Sequence, residues 1–214
     1  MDALRKLSDI VIYNLLFCLF SLPFFTIGAS LCALCEGMQL IASQKDSDLS
    51  VIKTFLATFK KNFVRGTLLW GLCIFGIAAV FSMRYASSLA LGGGLNTSYM
   101  ITFYVIALLF VFGYQNLFPS LARWQDIGVI ACIRRSFEVA VVGFPWTLLG
   151  IIITSGFSYV TLAMNQSAML LGMFVWAVCG FGIVTYICSF FFLKAAAGYE
   201  KRQELMRTAN EKNI

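Results

Sequence analysis

Residues 10–35 read IVIYNLLFCLFSLPFFTIGASLCALC, a run of 26 residues without a charged side chain. A helix needs about 20 apolar residues to cross a hydrocarbon core about 30 Å thick. Similar runs follow at residues 67–89, 99–122, 143–164 and 169–193. None shows the alternation of a membrane β-barrel strand. The chain is therefore predicted to be an all-α, polytopic membrane helix bundle with five spans, forming one domain over residues 1–214.

The composition agrees with this class and excludes much chemistry. The 214 residues are 60% hydrophobic and 12% charged, whereas soluble domains are about a quarter charged. The chain has no histidine, which removes His-based catalysis and His-ligated metals. Cys32 and Cys35 form a C-x-x-C pair inside an apolar run, which favours packing over metal binding. Without paired carboxylates or an activated nucleophile, we expect a non-enzymatic protein with no cofactor or metal.

Pro23 lies in the middle of the first run. Proline removes a backbone hydrogen bond and bends or breaks a helix. The run could be one kinked span, or a re-entrant hairpin that returns both ends to the cytoplasm. Residues 10–43 are too few for two complete spans, which favours the single kinked span.

The basic residues predict the topology. With five spans, 13 of the 16 Lys and Arg residues fall on one side, in residues 36–66, residues 123–142 and the tail 194–214. The positive-inside rule places this side in the cytoplasm, with the amino terminus outside and the carboxyl terminus inside. Arg5 and Lys6 oppose this arrangement. The net charge of +6 then reflects topology, and we expect no nucleic-acid partner.

Two segments outside the spans have helical amphipathic patterns, at residues 47–64 and 126–142. The first places Ile52, Phe55, Leu56, Phe59 and Phe63 on one face, and the second Ile130, Ile133, Phe137, Val141 and Phe144. Both are expected to lie in the cytoplasmic interface, where they could anchor loops or dock a partner. The docking candidates are Phe55, Phe59, Lys60, Asn62, Phe63, Arg134, Arg135 and Phe137.

These two segments also resemble each other. The stretch from Ile52 to Phe63 parallels that from Ile133 to Phe144 at an offset of 81 residues, and a Thr-Leu-Leu follows each at an offset of 80. Two spans follow each segment. The pattern indicates either chance similarity of apolar helices or a duplication in the same orientation, as occurs in some transporters.

Polar residues within the spans define a candidate site. The first run contains Asn14, Pro23, Thr26 and Gly28, and the third contains Gln115 and Asn116. An Asn in hydrocarbon needs a partner, and small residues allow close helix approach. These residues could form a moving kink and a polar path, or they could hydrogen-bond helix to helix.

Three stretches carry a family resemblance: NLLFCLFSLPFFTIGASLCAL (14–34), FLATFKKNFVRGTLLW (55–70) and NLFPSLARW (116–124). Together they resemble the YesL-like family of bacterial integral membrane proteins, a domain of unknown function. The resemblance implies a multi-pass membrane protein whose genes lie near carbohydrate-uptake and two-component regulatory genes. It supplies no reaction and no ligand.

Two functions follow as expectations. The first is an accessory or regulatory component of carbohydrate uptake or sensing, which docks a sugar-transporter subunit or a sensor kinase. The second is a small solute carrier or permease component with its site at the polar residues of the spans. Besides the lipid bilayer, the sequence identifies no partner and no oligomeric state.

Overall fold

The computed structural model describes residues 2–44, 50–90, 97–162, 172 and 174–212. Within them the chain is helical and contains no strand, so the all-α prediction is confirmed. A 3₁₀ turn, Phe24–Thr26, precedes α2, and a π-helical turn, Trp176–Gly180, precedes α8. The helices are α1 Asp2–Phe20, α2 Ile27–Ala42, α3 Val51–Lys61, α4 Phe63–Ala90, α5 Thr97–Arg123, α6 Val129–Val142, α7 Phe144–Leu162 and α8 Phe181–Lys212.

Three segments of the described chain are long and apolar enough to cross a membrane: Phe24–Ala42, Tyr104–Arg123 and Trp176–Ala209. Two bent pairs, α3 with α4 (68°) and α6 with α7 (100°), raise the number to five if each pair is one span. The chain is therefore consistent with a multi-pass membrane protein of three to five spans. Parts of the predicted interfacial helix (47–49) and of the predicted spans (163–164 and 169–171) lie outside the described residues.

The first hydrophobic run forms two antiparallel helices. The ring of Tyr13 packs directly on Gly37, and the hydroxyls of Ser21 and Ser30 lie 2.7 Å apart. Residues later in α1 thus contact residues earlier in α2, so the two helices are antiparallel. The chain therefore reverses direction within this run, as in the hairpin alternative, and residues 10–35 do not form one continuous kinked helix. There is enough chain for two helices because α1 begins at Asp2, before the run itself, so the polar residues 2–9 form its first two turns.

The reversal is built around Pro23. This residue has an extended backbone (φ −75°, ψ 115°), and a proline disfavours helical conformation in the residue before it. The hydroxyl of Thr26 reaches two carbonyl oxygens, those of Phe20 (2.5 Å) and Pro23 (2.7 Å). These bonds satisfy backbone acceptors that the end of α1 leaves open. The turn can therefore exist between two apolar helices.

Helix α3 packs against the hairpin along a line that partly matches the predicted face. Its buried residues are Phe55, Thr58 and Asn62, and Phe55 is fully enclosed by side chains of α1 and α2. Ile52, which the amphipathic pattern assigned to the packed face, is 52% exposed. The other residues of the predicted face, Leu56, Phe59 and Phe63, are half-buried, so the pattern identified most of the packed face and misplaced Ile52. Thr58 and Asn62, which the pattern left out, bond within the helix.

Helix α6 buries small side chains and exposes large ones. Cys132, Ser136 and Ala140 are buried, whereas Ile130 is 84% exposed and Val141 is 72% exposed. Its predicted apolar face therefore points mainly away from the rest of the protein. An apolar face in this position can contact lipid or a docking partner, the two roles expected of an interfacial helix.

The two bent pairs share one register at an offset of 81 residues. Helices α3 and α4 meet at Asn62, and α6 and α7 meet at Gly143. Each break keeps the same two backbone hydrogen bonds, from residue 62 to 58 and 66 to 62, and from 143 to 139 and 147 to 143. Five pairs of positions are buried in both: 55/136, 58/139, 62/143, 66/147 and 69/150. The offset of 80 in the Thr-Leu-Leu match therefore does not describe the packing.

The carboxyl-terminal tail is a continuation of the last helix. The sequence predicted a separate segment over 194–214, but α8 runs without interruption from Phe181 to Lys212. Its central part packs along α7, where Ala195 lies against Gly143 so closely that a Cβ on the glycine would collide with it. Up to Lys212 the tail is therefore a direct extension of the last helix, with residues 201–209 exposed.

Candidate functional site

Asn14 is fully buried and bonds α1 to the start of α8. Its Nδ2 donates to the carbonyl oxygens of Ala177 (2.6 Å) and Trp176 (3.3 Å), and its Oδ1 accepts from the N–H of Gly182 (2.7 Å). These partners flank the π-helical turn Trp176–Gly180. A π turn shifts the helical hydrogen-bond register and leaves backbone groups without their usual partners. The amide of Asn14 supplies both the donor and the acceptor that this turn lacks.

Asn116 and Gln115 bond α5 to its neighbours. Asn116 Nδ2 lies 3.3 Å from the hydroxyl oxygen of Thr147 on α7. Gln115 Nε2 lies 3.5 Å from the hydroxyl oxygen of Thr154 on α7 and 3.5 Å from the sulfur of Cys188 on α8. Both amides therefore join helices, and the bonds of Gln115 are at the long limit for a hydrogen bond.

Gly28 marks the closest approach of α2 to α4. A Cβ on Gly28 would collide with the carbonyl oxygen of Gly66, and one on Gly66 would collide with the backbone of Ala29. Paired small residues let two helix backbones touch in this way. Gly28 is therefore a packing contact, and Pro23 and Thr26 belong to the turn before it.

The six polar and kink candidates do not meet in one place. Asn14 binds the π turn, Asn116 binds α7, and Pro23, Thr26 and Gly28 shape the hairpin and its crossing. Only Gln115 also lines a sizeable cleft, with a volume of about 330 Å³. Its walls come from six helices and the π turn: Phe17, Ile27, Leu31, Cys35, Trp70, Tyr114, Gln115, Phe118, Pro119, Thr154, Ser158, Trp176, Phe181, Val184, Thr185 and Cys188.

A second, much smaller cavity of about 10 Å³ adjoins the cleft. Gln115, Pro119 and Cys188 line both spaces, and Asn116 and Thr147 add polar groups to the smaller one. Because Pro119 has no N–H, it cannot donate to the carbonyl of Gln115 four residues earlier. A cavity of this size has room for about one water, which needs polar partners of this kind.

Sequence reasoning missed most of the cleft. Trp70 and Thr185 lie in apolar runs and form no polar motif, and Tyr114 precedes the polar pair Gln115 and Asn116, so spacing gave no signal for these three residues. Thr154 and Ser158 did carry one, because hydroxyls four residues apart lie on the same face of a helix. Their side chains, however, donate to the carbonyls of Gly150 and Thr154, as polar residues in membrane helices commonly do.

The docking candidates divide between the interior and the surface. Phe55 and Asn62 are fully buried, and Phe59 and Phe63 are partly buried in an aromatic stack with Phe20. Lys60 and Arg134 are exposed, as is Phe137, whose ring also covers Gly113. The guanidinium of Arg135 lies 5.5 Å from the ring centre of Trp124. Only part of the predicted set is therefore accessible to a partner.

Polar contacts join the basic segments at one end of the molecule. Lys61 lies 3.4 Å from Asp126, and Arg123 forms two hydrogen bonds with Glu200 (2.9 and 3.1 Å). Arg65 donates to the carbonyl of Gln125, whose side chain donates to Glu36 (2.7 Å). The segments 36–66, 123–142 and 194–212 thus meet, as the positive-inside argument requires of three loops on one side.

Glu138 forms a second polar group at this end. Its carboxylate accepts hydrogen bonds from the hydroxyl of Tyr199 (2.8 Å) and from Arg134 (2.9 Å). These two bonds, with the Tyr199 bond the larger cause, lower the pKa of the Glu138 carboxyl from its usual value. Glu138 therefore stays ionised at neutral pH and links α6 to α8.

Comparison with known proteins identifies one related family. Residues 10–85 match the family model described as protein of unknown function, DUF624. This part of the chain is similar to that family, and it comprises most of α1, the hairpin turn, α2, α3 and most of α4. No curated protein and no solved structure matches the chain.

Proposed function

We propose that the protein is a non-enzymatic, accessory or regulatory component of a bacterial cell membrane, linked to carbohydrate uptake or sensing. The observation that carries this proposal is the use of the buried amides. Asn14 and Asn116 use their amide groups in bonds between helices, so neither amide is free to line a transport path. The link to carbohydrate uptake depends on the YesL-like resemblance, and the matched family of unknown function adds no activity to it.

Both chain termini are proposed to lie in the cytoplasm. Glu36 and Gln39 of α2 bond to Gln125 and to the carbonyl of Pro119, at the end where the basic segments meet. The α1–α2 hairpin brings Ile10 into the same cluster as Ile41, so α1 starts near that end. Arg5 and Lys6 then join the other cations, and 15 of 16 Lys and Arg residues lie inside. This satisfies the positive-inside rule better than an external amino terminus does.

The cytoplasmic end of α6 is the proposed docking surface. Helix α6 exposes Arg134, Phe137 and Ile130 (84% exposed), and Lys60 is an exposed cation of α3. An apolar centre with a basic rim suits a partner with a hydrophobic patch and acidic surroundings. The proposed partners are a sugar-transporter subunit or a sensor kinase.

Co-purification from native membranes in mild detergent tests this function. We expect Phe137→Asp and Arg134→Glu to reduce recovery of the same transporter or kinase subunit. Leu109→Asn, at a 56% exposed position on α5 away from the basic end, is the matched control and should leave recovery unchanged. Equal recovery with all three variants, or the absence of any such subunit, would contradict the proposal.

A small carrier or permease component is the second candidate function. The cleft of about 330 Å³ and the repeated helix pairs favour it, since parallel repeats occur in transporters. Uptake by purified protein in liposomes decides between the two candidates. Substrate-dependent flux of a sugar would support the carrier, whereas its absence across a broad panel of sugars and oligosaccharides supports the accessory role.

A further inference from the structure

The cleft between the helices has a lining of uncharged residues. Its walls contain aromatic and aliphatic side chains, two cysteines, and the polar residues Tyr114, Gln115, Thr154, Ser158 and Thr185. None of the described residues that line it is an acid or a base. Its volume falls in the range of roughly 300–1,000 Å³ found for small-molecule sites.

Four polar groups of the lining have no hydrogen-bond partner within the described part of the chain. They are the hydroxyls of Tyr114 and Thr185, the Oε1 of Gln115 and the buried indole N–H of Trp70. The other two hydroxyls, those of Thr154 and Ser158, already donate to backbone carbonyls. Tyr114 and Gln115 are adjacent on α5, and Thr185 precedes Cys188, a contact of Gln115, by one helical turn. The free hydroxyls and the free acceptor therefore belong to neighbouring parts of α5 and α8, and the N–H of Trp70 on α4 is a further free donor of the lining.

We infer that this cleft binds an uncharged, mainly apolar molecule with one hydroxyl-bearing end, such as a long-chain alcohol. A charged ligand would lose its hydration without gaining an opposite charge from the lining. A free sugar would bring more hydroxyls than the lining can pair, and each unpaired one is costly. A plain hydrocarbon would leave the Tyr114, Gln115 and Thr185 groups unsatisfied. A single hydroxyl can donate to one of these groups and accept from another. The hydrocarbon part of the alcohol then packs against the aromatic side chains of the lining.

This ligand is distinct from the partner and from the sugar of the proposed functions. A membrane-soluble alcohol reaches the cleft through the bilayer, whereas a sugar would arrive from water. The inference therefore stands or falls independently of whether the α6 surface docks a transporter subunit.

Photo-crosslinking of the full chain in phosphatidylcholine nanodiscs tests the inference. The probe is hexadecanol with a diazirine in its chain, and labelled peptides are identified by mass spectrometry. We expect labelling of the α5 peptide that contains Tyr114 and of the α8 peptide that contains Thr185. Unlabelled hexadecanol should compete, whereas equal concentrations of hexadecyl sulfate and glucose should not.

Two substitutions locate the binding in the cleft. Ser158→Phe fills the cleft and should abolish this labelling, whereas Ile152→Phe, at a 56% exposed position on the same helix, should leave it unchanged. Gln115→Leu removes one acceptor and should weaken competition by hexadecanol about fivefold, the effect of losing one neutral hydrogen bond. Circular dichroism and gel filtration confirm that each variant folds.

Other results of the same experiments would contradict binding of an alcohol in the cleft. Competition by glucose would identify a sugar site, and competition by hexadecyl sulfate would show that charge is accepted. Equal labelling of wild type and Ser158→Phe, or labelling spread over all exposed helices, would identify surrounding lipid alone. Each of these results overturns the inference, and the competition series does so in the wild-type protein even if a variant fails to fold.

Discussion

Single buried amides hold this bundle together. In a lipid-facing protein, apolar packing gives little preference between helices because lipid tails are as apolar as the side chains. A buried hydrogen bond between helices then contributes to specificity. Asn14 is the strongest case, since its three short contacts all go to backbone groups around the π turn of another segment.

Removal of Asn14 is expected to destabilise the protein more than removal of Asn116. Asn14→Ala leaves the carbonyl of Ala177 and the N–H of Gly182 unpaired, at a cost of about 1–3 kcal/mol for each buried group. Asn116→Ala, the matched control, loses one bond to the hydroxyl of Thr147 and should cost about 1 kcal/mol. Thermal unfolding followed by a thiol-reactive dye measures both, because Cys32, Cys35, Cys73 and Cys132 become accessible on unfolding. A smaller effect at Asn14 would contradict its bridging role.

Alanine substitutions at two glycines of the α2–α4 region should change the free energy of unfolding in opposite directions. Gly28→Ala places a methyl group against the backbone of Gly66, and we expect it to lower the free energy of unfolding by about 1–3 kcal/mol. Gly71→Ala, on α4, meets no atom within 4 Å and should raise it by about 0.5–1 kcal/mol through helix propensity. The same thermal assay compares them. Equal effects at both positions would show that the helices do not cross closely at Gly28.

At the scale of elements, the repeated unit is a short helix, a break and a long helix. The break at Asn62 and the break at Gly143 keep equivalent backbone bonds, although the residues differ. What recurs is burial at equivalent positions, and small or polar residues occupy both copies only at and just after the break, at 62/143 and 66/147. There the backbone bonds let one helix end and another begin without an unpaired carbonyl. A duplication explains this register, and it stays a prediction.

Substitutions on α3 distinguish its packed line from its predicted apolar face. Phe55 is fully buried among α1 and α2, so Phe55→Ala should lower the free energy of unfolding by about 3 kcal/mol through the cavity it leaves. Ile52→Ala, on the same helix and the same predicted face, is 52% exposed and should change it by less than about 0.5 kcal/mol. Comparable losses for both variants would show that Ile52 also belongs to the packed face.

At the scale of the whole molecule, the α1–α2 hairpin changes the topology. An antiparallel hairpin adds one reversal of chain direction before the long helices, so the amino terminus moves to the side that carries the other cations. The contacts between Lys61 and Asp126 and between Arg123 and Glu200 connect those cationic segments across the bundle. Charge and contact pattern therefore lead to the same arrangement.

Cysteine labelling in intact cells tests the position of the amino terminus. With a membrane-impermeant maleimide, Ser8→Cys is expected to react only after permeabilisation, because it lies inside. Thr208→Cys on α8 should behave in the same way, and Gly93→Cys, in a segment that the sequence places outside, should react in intact cells. Labelling of Ser8→Cys in intact cells would place the amino terminus outside and contradict the hairpin topology.

The sequence by itself determined the class of the protein. Long charge-free runs and few charged residues predict membrane helices whatever the packing, because each run is by itself too apolar to be exposed to water. The helices of residues 63–90, 97–123 and 144–162 follow these runs closely. The basic segments also predict their shared side, since charge distribution is a property of the chain and not of its contacts.

Only the tertiary structure decided how the first run folds and where the polar residues go. Pro23 permits a kink or a reversal, and the choice depends on whether Tyr13 can pack on Gly37 across the turn. Likewise, Asn14 could line a path or bind a helix, and its bonds to the π turn exist only once α8 is in place. The cleft combines residues from six helices, each isolated in its own segment. Such contacts join positions up to 168 residues apart, and local sequence patterns do not predict them.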